Sequence, residues 1–165
     1  MDTALVKKPE IGLLNETAIF GGIKSEIIQY ILDNANIVEK QENECFFYEN
    51  DIAENMYVLL SGDVDIVKNR KGKQFHIATL RRGDCFGEMA IIDHSPRSAT
   101  IICHSTSRAI EIDINFFNEI YHKDIKQFAL LQMNMGREVC RRLREANELL
   151  FKIRAETISR SSDLT

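Results

Sequence analysis

The residues best suited to chemistry lie in one short stretch, residues 86–100. It opens with a glycine and a carboxylate, Gly87 and Glu88, and later places Arg97 directly behind a proline. Because glycine has no Cβ, backbone N–H groups beside it can approach a bound group closely. Arg97 carries a permanent, planar charge that suits phosphate oxygens, and ionised Glu88 can accept a hydrogen bond from a ribose hydroxyl. A phosphate and a ribose hydroxyl together describe a nucleotide.

A helical turn beginning near Met89 would strengthen this anion site. Such a turn points its free N–H groups and its positive dipole end at a bound anion. Each residue taken alone has an ordinary structural explanation: Glu88 can cap a helix, Arg97 can lie in a solvated loop, and Gly87 can form a turn. Their combination within one stretch favours anion binding.

The region around this stretch must supply the framework that positions it. Short apolar runs separated by turn signals fill residues 37–113, a pattern typical of antiparallel strands. The predicted strands are Ile37–Lys40, Cys45–Tyr48, Met56–Ser61, Asp63–Asn69, Gln74–Leu80, Ser98–His104 and Ala109–Asp113. Short strands of this number with regular turns indicate an antiparallel jelly-roll β-barrel. The predicted fold is therefore mainly β, with flanking helices.

Helices are predicted before and after the barrel. Apolar residues at helical spacing indicate a short N-terminal helical segment over residues 18–36. After the barrel, residues 115–156 are predicted to form a short helix, capped by Asp113 or Asn115, and then one long helix. The polar residues 157–165 are predicted to be a disordered tail. At 165 residues, the whole of residues 1–165 is predicted to form a single domain.

The long helix carries an apolar stripe whose members are spaced four, three, four and three residues apart: Val139, Leu143, Ala146, Leu150 and Ile153. This is the heptad spacing of helices that pair. The stripe can pair with its twin in a second copy, or it can pack on its own barrel.

Composition narrows the function classes. The net charge of −4 argues against a general nucleic-acid binder. The four cysteines and four histidines lack metal-ligand spacing, so no metal or other cofactor is expected. No nucleophile, paired carboxylates or metal cluster can be assigned to catalysis, so we expect a protein that is not an enzyme. Without a leader-like or membrane-spanning apolar run, we expect a cytoplasmic protein with no membrane partner.

Residues 86–100 resemble the phosphate-binding cassette of cyclic nucleotide-binding domains, the family of the catabolite activator protein and the protein kinase A regulatory subunits. The Phe-Gly-Glu-x-Ala start and the Pro-Arg-x-Ala-Thr end both match, with the family's internal length. The resemblance extends over roughly residues 18–150. One landmark departs from the family pattern, because Asn50 replaces a glycine in the turn at Tyr48–Asp51. Asparagine tolerates positive φ, so this turn is expected to survive.

The resemblance implies a role for each residue of the cassette. Gly87 and Ala90 would give backbone N–H groups to a cyclic phosphate, Arg97 would pair with its exocyclic oxygens, and Ser98 would add a hydroxyl bond. Glu88 would accept from the ribose 2′-OH. The expected ligand-binding residues are Gly87, Glu88, Met89, Ala90, Arg97, Ser98 and Ala99.

Contacts with the base of the nucleotide would come from other elements. Ile66, Ile77 and Leu80 are possible apolar base contacts, although each is equally well explained as core. On the long helix, Asn147 could offer a donor and an acceptor to a purine edge, or it could simply face solvent.

We interpret the chain as a stand-alone cyclic nucleotide receptor, with cAMP favoured over cGMP. Movement of the long C-terminal helix would relay the signal to an unidentified downstream protein or to a homodimer interface, with no direct nucleic-acid contact. Family members commonly pair through this helix, which favours the homodimer. The alternatives are a ligand-free protein-interaction scaffold and a receptor for another nucleotide, such as a cyclic dinucleotide.

Overall fold

Two antiparallel four-stranded sheets enclose the inner core of this protein, whose computed structural model describes residues 11–162. The first sheet has the strand order β1-β8-β3-β6 and the second has the order β2-β7-β4-β5. The strands are β1 (Asn36–Lys40), β2 (Cys45–Phe47), β3 (Asn55–Ser61), β4 (Val64–Arg70), β5 (Lys73–Leu80), β6 (Cys85–Phe86), β7 (Thr100–Cys103) and β8 (Ser107–Asp113). The predicted jelly-roll architecture is confirmed. The sequence did not reveal β6, because two residues are too few to show an alternating pattern.

Strand β3 is buried on both faces, which explains its uninterrupted apolar run. Tyr57 and Leu59 point into the core between the two sheets. Met56, Val58 and Leu60 point the other way, into a second core shared with the helices. Because side chains alternate across a strand, a strand covered on both sides needs no polar positions.

The helices that cover β3 come from both ends of the chain. Before the barrel lie α1 (Ile11–Asn15), a 3₁₀ turn (Ala18–Phe20) and α2 (Ser25–Asn34). After it come α3 (Glu88–Asp93), inside the cassette, then α4 (Ile114–Lys123) and α5 (Ile125–Ser162). The Asp113 carboxylate accepts from the backbone N–H of Asn115 at 2.7 Å, so the predicted cap of α4 is confirmed at Asp113.

The first half of α5 is fixed to the N-terminal segment by a buried amide. Asn134 Nδ2 donates to the carbonyl oxygens of Ile19 and Gly21, at 3.0 and 2.9 Å. The Gln127 side chain accepts from the backbone N–H of Lys24 at 2.7 Å. These bonds satisfy backbone groups that the N-terminal turns leave free.

The second half of α5 extends away from the barrel and continues past the predicted end. Every residue from Leu143 to Ser159 is exposed. The predicted tail at 157–165 is corrected as far as Ser162, and residues 163–165 lie outside the described part of the chain. No glycine or proline interrupts this segment, and the Thr157 hydroxyl donates back to the Ile153 carbonyl at 2.8 Å, which is compatible with a helix. Within residues 11–162, no helix is long and apolar enough to cross a bilayer.

Candidate functional site

A solvent-accessible cleft lies between the cassette and the second sheet, with about 390 Å³ of empty space. This space is partly open to solvent. Its lining comes from β2, β4, β6, β7, the cassette and α5: Phe47, Ile66, Phe86, Gly87, Glu88, Met89, Ala90, Arg97, Ser98, Ala99, Ile101 and Arg142.

All seven predicted cassette residues line this cleft, together with Ile66 from β4. The other three suggested base contacts do not. Ile77 is 54% exposed on β5, and Leu80 is buried in the core between the sheets. Asn147 is exposed on the projecting half of α5. In this structure, Ile66 is therefore the suggested base contact that borders the cleft.

Gly87 adopts a conformation that few other residues tolerate. Its φ is +80°, in the left-handed region, and it immediately precedes α3. A Cβ at this position would lie 2.4 Å from Nη1 of Arg97 and 3.4 Å from the Phe47 ring. The position therefore requires glycine for two reasons: its left-handed backbone angle and the close approach of Arg97.

The backbone of Arg97 is held by the turn at Tyr48–Asp51. The N–H of Arg97 donates to the Asp51 carbonyl, and the N–H of Asn50 donates to the Arg97 carbonyl, both at 2.9 Å. Asn50 has φ +73°, as the sequence predicted for the residue that replaces glycine. A turn that is distant in sequence thus fixes the backbone position from which the Arg97 side chain extends.

The side chain of Arg97 is held inside the structure, with only 4% of its surface exposed. Nη1 donates to the Gly87 carbonyl at 3.0 Å, and Nη2 donates to Oδ1 of Asn55. The guanidinium lies 3.9 Å above the Phe47 ring, a cation–π contact. Nε is buried and has no acceptor among the described residues. Arg97 therefore keeps unused donors, as a side chain that binds an anion should.

Glu88 is the second buried charge of the cleft, at 2% exposure. Its Oε1 accepts from Nη1 of Arg142, at 3.1 Å. Burial raises the pKa of Glu88 above its ordinary value, while the positive charge of Arg142 opposes this increase. The ion pair thus favours the charged form that can accept a ribose hydroxyl.

Arg142 is a charged residue of the cleft lining that sequence reasoning missed. Besides Glu88, its guanidinium donates to Glu138 at 3.0 Å and to the carbonyl oxygen of Cys85. It connects the last packed turns of α5 to both β6 and the cassette. Its charge was visible in the sequence, but nothing local indicated that it would meet Glu88.

Two smaller observations complete the site. The Ser98 hydroxyl, exposed at the cleft, lies 3.8 Å from the Met89 sulfur, a weak contact that a better acceptor could replace. In the described part of the chain, no group of three His, Cys, Asp or Glu side chains is placed to hold a metal ion.

Comparison with known proteins identifies relatives of this chain by sequence. The family model for the cyclic nucleotide-binding domain matches residues 37–124. The cyclic AMP receptor protein of Thermus thermophilus is 28% identical over 130 residues, covering 78% of this chain and 58% of that protein. The cAMP-dependent protein kinase regulatory subunit of Schizosaccharomyces pombe is 31% identical over 108 residues, covering 66% of this chain and 26% of that protein. The chain thus spans less than two thirds of either relative.

A solved structure shares the fold. The cyclic nucleotide-binding domain from Methylobacillus flagellatus superimposes with a TM-score of 0.77 at 19% identity, covering 86% of this chain and 80% of that one. At this identity, the similarity concerns the fold alone.

Proposed function

Since the chain belongs to the cyclic nucleotide-binding domain family, we propose that it is a cyclic nucleotide receptor, with cAMP as the favoured ligand, and not an enzyme. One observation carries the proposal: Arg97 and Glu88, both almost completely buried, line one cleft beside the left-handed Gly87. Burying two charges is costly, and a phosphate with a ribose would use both of them. The two curated relatives bear names that refer to cAMP, which supports the choice of nucleotide.

The ligand would occupy the cleft with its phosphate towards Arg97. The backbone N–H groups at the start of α3 and the Ser98 hydroxyl would surround the remaining phosphate oxygens. Glu88 would accept from the ribose 2′-OH. An ionised carboxylate offers about four lone-pair sites, so the bond from Arg142 leaves room for this hydroxyl.

Isothermal titration with four ligands tests the proposal. We expect cAMP to bind more tightly than cGMP, and 2′-deoxy-cAMP and 5′-AMP to bind much more weakly than cAMP. The deoxy analogue probes Glu88, and the open phosphate of 5′-AMP probes the shape of the cassette. If none of the four binds, the receptor proposal is wrong.

As the pH is lowered, binding should begin to weaken at a higher pH than it would if Glu88 had the pKa of an ordinary glutamate. The ribose hydroxyl favours ionised Glu88, and burial raises the pKa of this carboxyl above its ordinary value of 4.5. Below the raised pKa, ligand binding must release a proton, so affinity falls as the pH falls. Titrations at stepwise lower pH should show this loss in the wild type, whereas Glu88→Gln should bind weakly and with little pH dependence. A wild-type affinity that falls no more on acidification than that of Glu88→Gln would contradict the role given to Glu88.

We further propose that α5 relays ligand binding through Arg142. The ligand would bind the same carboxylate that Arg142 holds, so the two contacts are energetically linked. A ligand shifts a conformational equilibrium only by its different affinity for the two states. Arg142 offers such a difference, because its bonds to Glu88 and to the Cys85 carbonyl need α5 in its present place.

Distances between spin labels on the barrel and on the projecting half of α5 test this relay. We expect cAMP to change the distance distribution in the wild type and to change it much less in Arg142→Gln. Arg144→Gln is the matched control, because Arg144 is exposed on the same helix and does not line the cleft. Identical distances with and without ligand in the wild type would exclude the relay.

We also propose that the apolar stripe of α5 pairs two copies of the chain. Leu143, Leu150 and Ile153 are 58%, 48% and 52% exposed, so they do not pack on their own barrel. We expect sedimentation to show a dimer that Leu150→Glu converts to monomer. Phe151→Glu is the control, because Phe151 is 67% exposed but lies off the stripe. A wild type that remains monomeric would refute this pairing.

A further inference from the structure

A row of hydrogen-bonded polar side chains lies behind Arg97. The Oδ1 atom of Asn55 accepts from Arg97, while its Nδ2 donates to Oε1 of Glu111 at 2.6 Å. The Tyr57 hydroxyl donates to the same Glu111 oxygen at 2.9 Å. Asn55 and Tyr57 lie on β3, and Glu111 lies opposite Tyr57 on β8. Of these three residues, none lines the cleft.

The chemistry at its two ends fixes the orientation of the Asn55 amide. An amide has one accepting end and one donating end. A guanidinium only donates and a carboxylate only accepts, so only one orientation satisfies both Arg97 and Glu111. Turning the amide over would place oxygen against oxygen and N–H against N–H. Glu111 therefore determines that Asn55 presents its oxygen to Arg97.

Tyr57 in turn holds Glu111 in place. Its ring is 6% exposed and stacks on Phe86, with the ring centroids 5.1 Å apart. Burial and the neighbouring carboxylate raise the pKa of Tyr57, so its hydroxyl remains a hydrogen-bond donor at neutral pH. The aromatic core between the sheets is thus joined to Arg97 through two hydrogen-bonded side chains.

We propose that Asn55 and Glu111 are positioning residues, which hold the Arg97 guanidinium in the orientation that binds an anionic ligand. The proposal rests on the receptor function proposed above. The other two contacts of the guanidinium, the Gly87 carbonyl and the Phe47 ring, belong to the cleft lining itself. Asn55 is the contact that comes from outside the cleft, and Glu111 acts on the ligand only through it.

A double-mutant cycle tests this order of action, with cAMP affinity as the measurement. We expect Asn55→Ala to weaken binding about tenfold and Glu111→Ala about threefold, since each loosens one hydrogen-bonded contact. In the Asn55→Ala background, Glu111→Ala should have no further effect, because the residue that transmits its influence is absent. Glu111→Gln retains an acceptor and should bind almost as the wild type does. Glu39→Ala, which removes an exposed carboxylate from β1, is the control and should have no effect.

Losses that simply add in the double variant, or an unchanged affinity in Asn55→Ala, would overturn the proposal. A second readout needs no ligand: the side-chain Nε–H signal of Arg97 in ¹⁵N NMR spectra. It should shift in Asn55→Ala and Glu111→Ala, and remain in place in Glu39→Ala. If the wild type binds no cyclic nucleotide while these shifts occur, the receptor function fails but the control of Arg97 by Glu111 stands. If the wild type binds and the signal does not move, the positioning role itself is wrong.

Discussion

Replacing Arg97 by alanine should lower the affinity for cAMP about hundredfold, which corresponds to about 2.7 kcal/mol. A hydrogen bond to a charged group contributes roughly 1.5–3 kcal/mol, and Arg97 is the one arginine in the cleft lining that is not already paired with a carboxylate. Isothermal titration measures the effect.

Arg144→Ala is the matched control for this prediction, because it removes an exposed arginine that does not line the cleft. Arg97 is itself buried, so circular dichroism should first establish that the variant is folded at the temperature of the titration. A folded Arg97→Ala protein with wild-type affinity would show that the phosphate is bound elsewhere.

Gly87→Ala should reduce affinity to a similar extent without removing any functional group. The left-handed backbone costs an alanine roughly 1 kcal/mol, and the new methyl group would collide with Nη1 of Arg97. The guanidinium must then move away from the Gly87 carbonyl and from the position in which it would meet a phosphate. We expect about a hundredfold loss of affinity by titration, together with a lower melting temperature.

Gly72→Ala separates the cost of the left-handed backbone from the effect of the collision with Arg97. Gly72 has φ +73°, almost the same as Gly87, but nothing lies within 4 Å of a Cβ added there. It should therefore show the backbone cost as a small loss of stability and leave affinity unchanged. If Gly87→Ala behaved in the same way as Gly72→Ala, the contact between Gly87 and Arg97 would not matter for binding.

The predictable part of the site is the part that is continuous in sequence. Gly87, Glu88 and Arg97 lie in one cassette, so their types and spacing could be read together, and all three line the cleft. Arg142 and Asn55 could not be identified in this way. Their contacts with Glu88 and Arg97 depend on how α5 and β3 pack, which no local pattern encodes.

The suggested base contacts show a related limit. Alternation along β4 places Ile66 on the inner face, at the cleft. On β5 apolar character was not a guide to burial, because residues 73–77 of this edge strand are exposed on both of its faces. Its apolar residues need not be buried, and Ile77 is exposed. The end of α5 was also predicted too early, because polar composition suggested a tail. The segment is nevertheless rich in the helix-favouring residues Leu, Glu, Arg and Ala, and no glycine or proline interrupts it.

The projecting half of α5 would act as a mechanical arm. A helix rises 1.5 Å per residue, so the segment from Arg142 to Ser162 is about 30 Å long. With its pivot at the Arg142 contacts, a tilt of about 10° would move the far end by about 5 Å, roughly one helical turn. A change too small to rearrange the cleft could therefore decide which surface the tip of the arm reaches. Amplification of this kind requires the projecting half of α5 to be rigid. The i,i+4 ion pair between Arg141 and Glu145 stabilises the helix close to the Arg142 contacts.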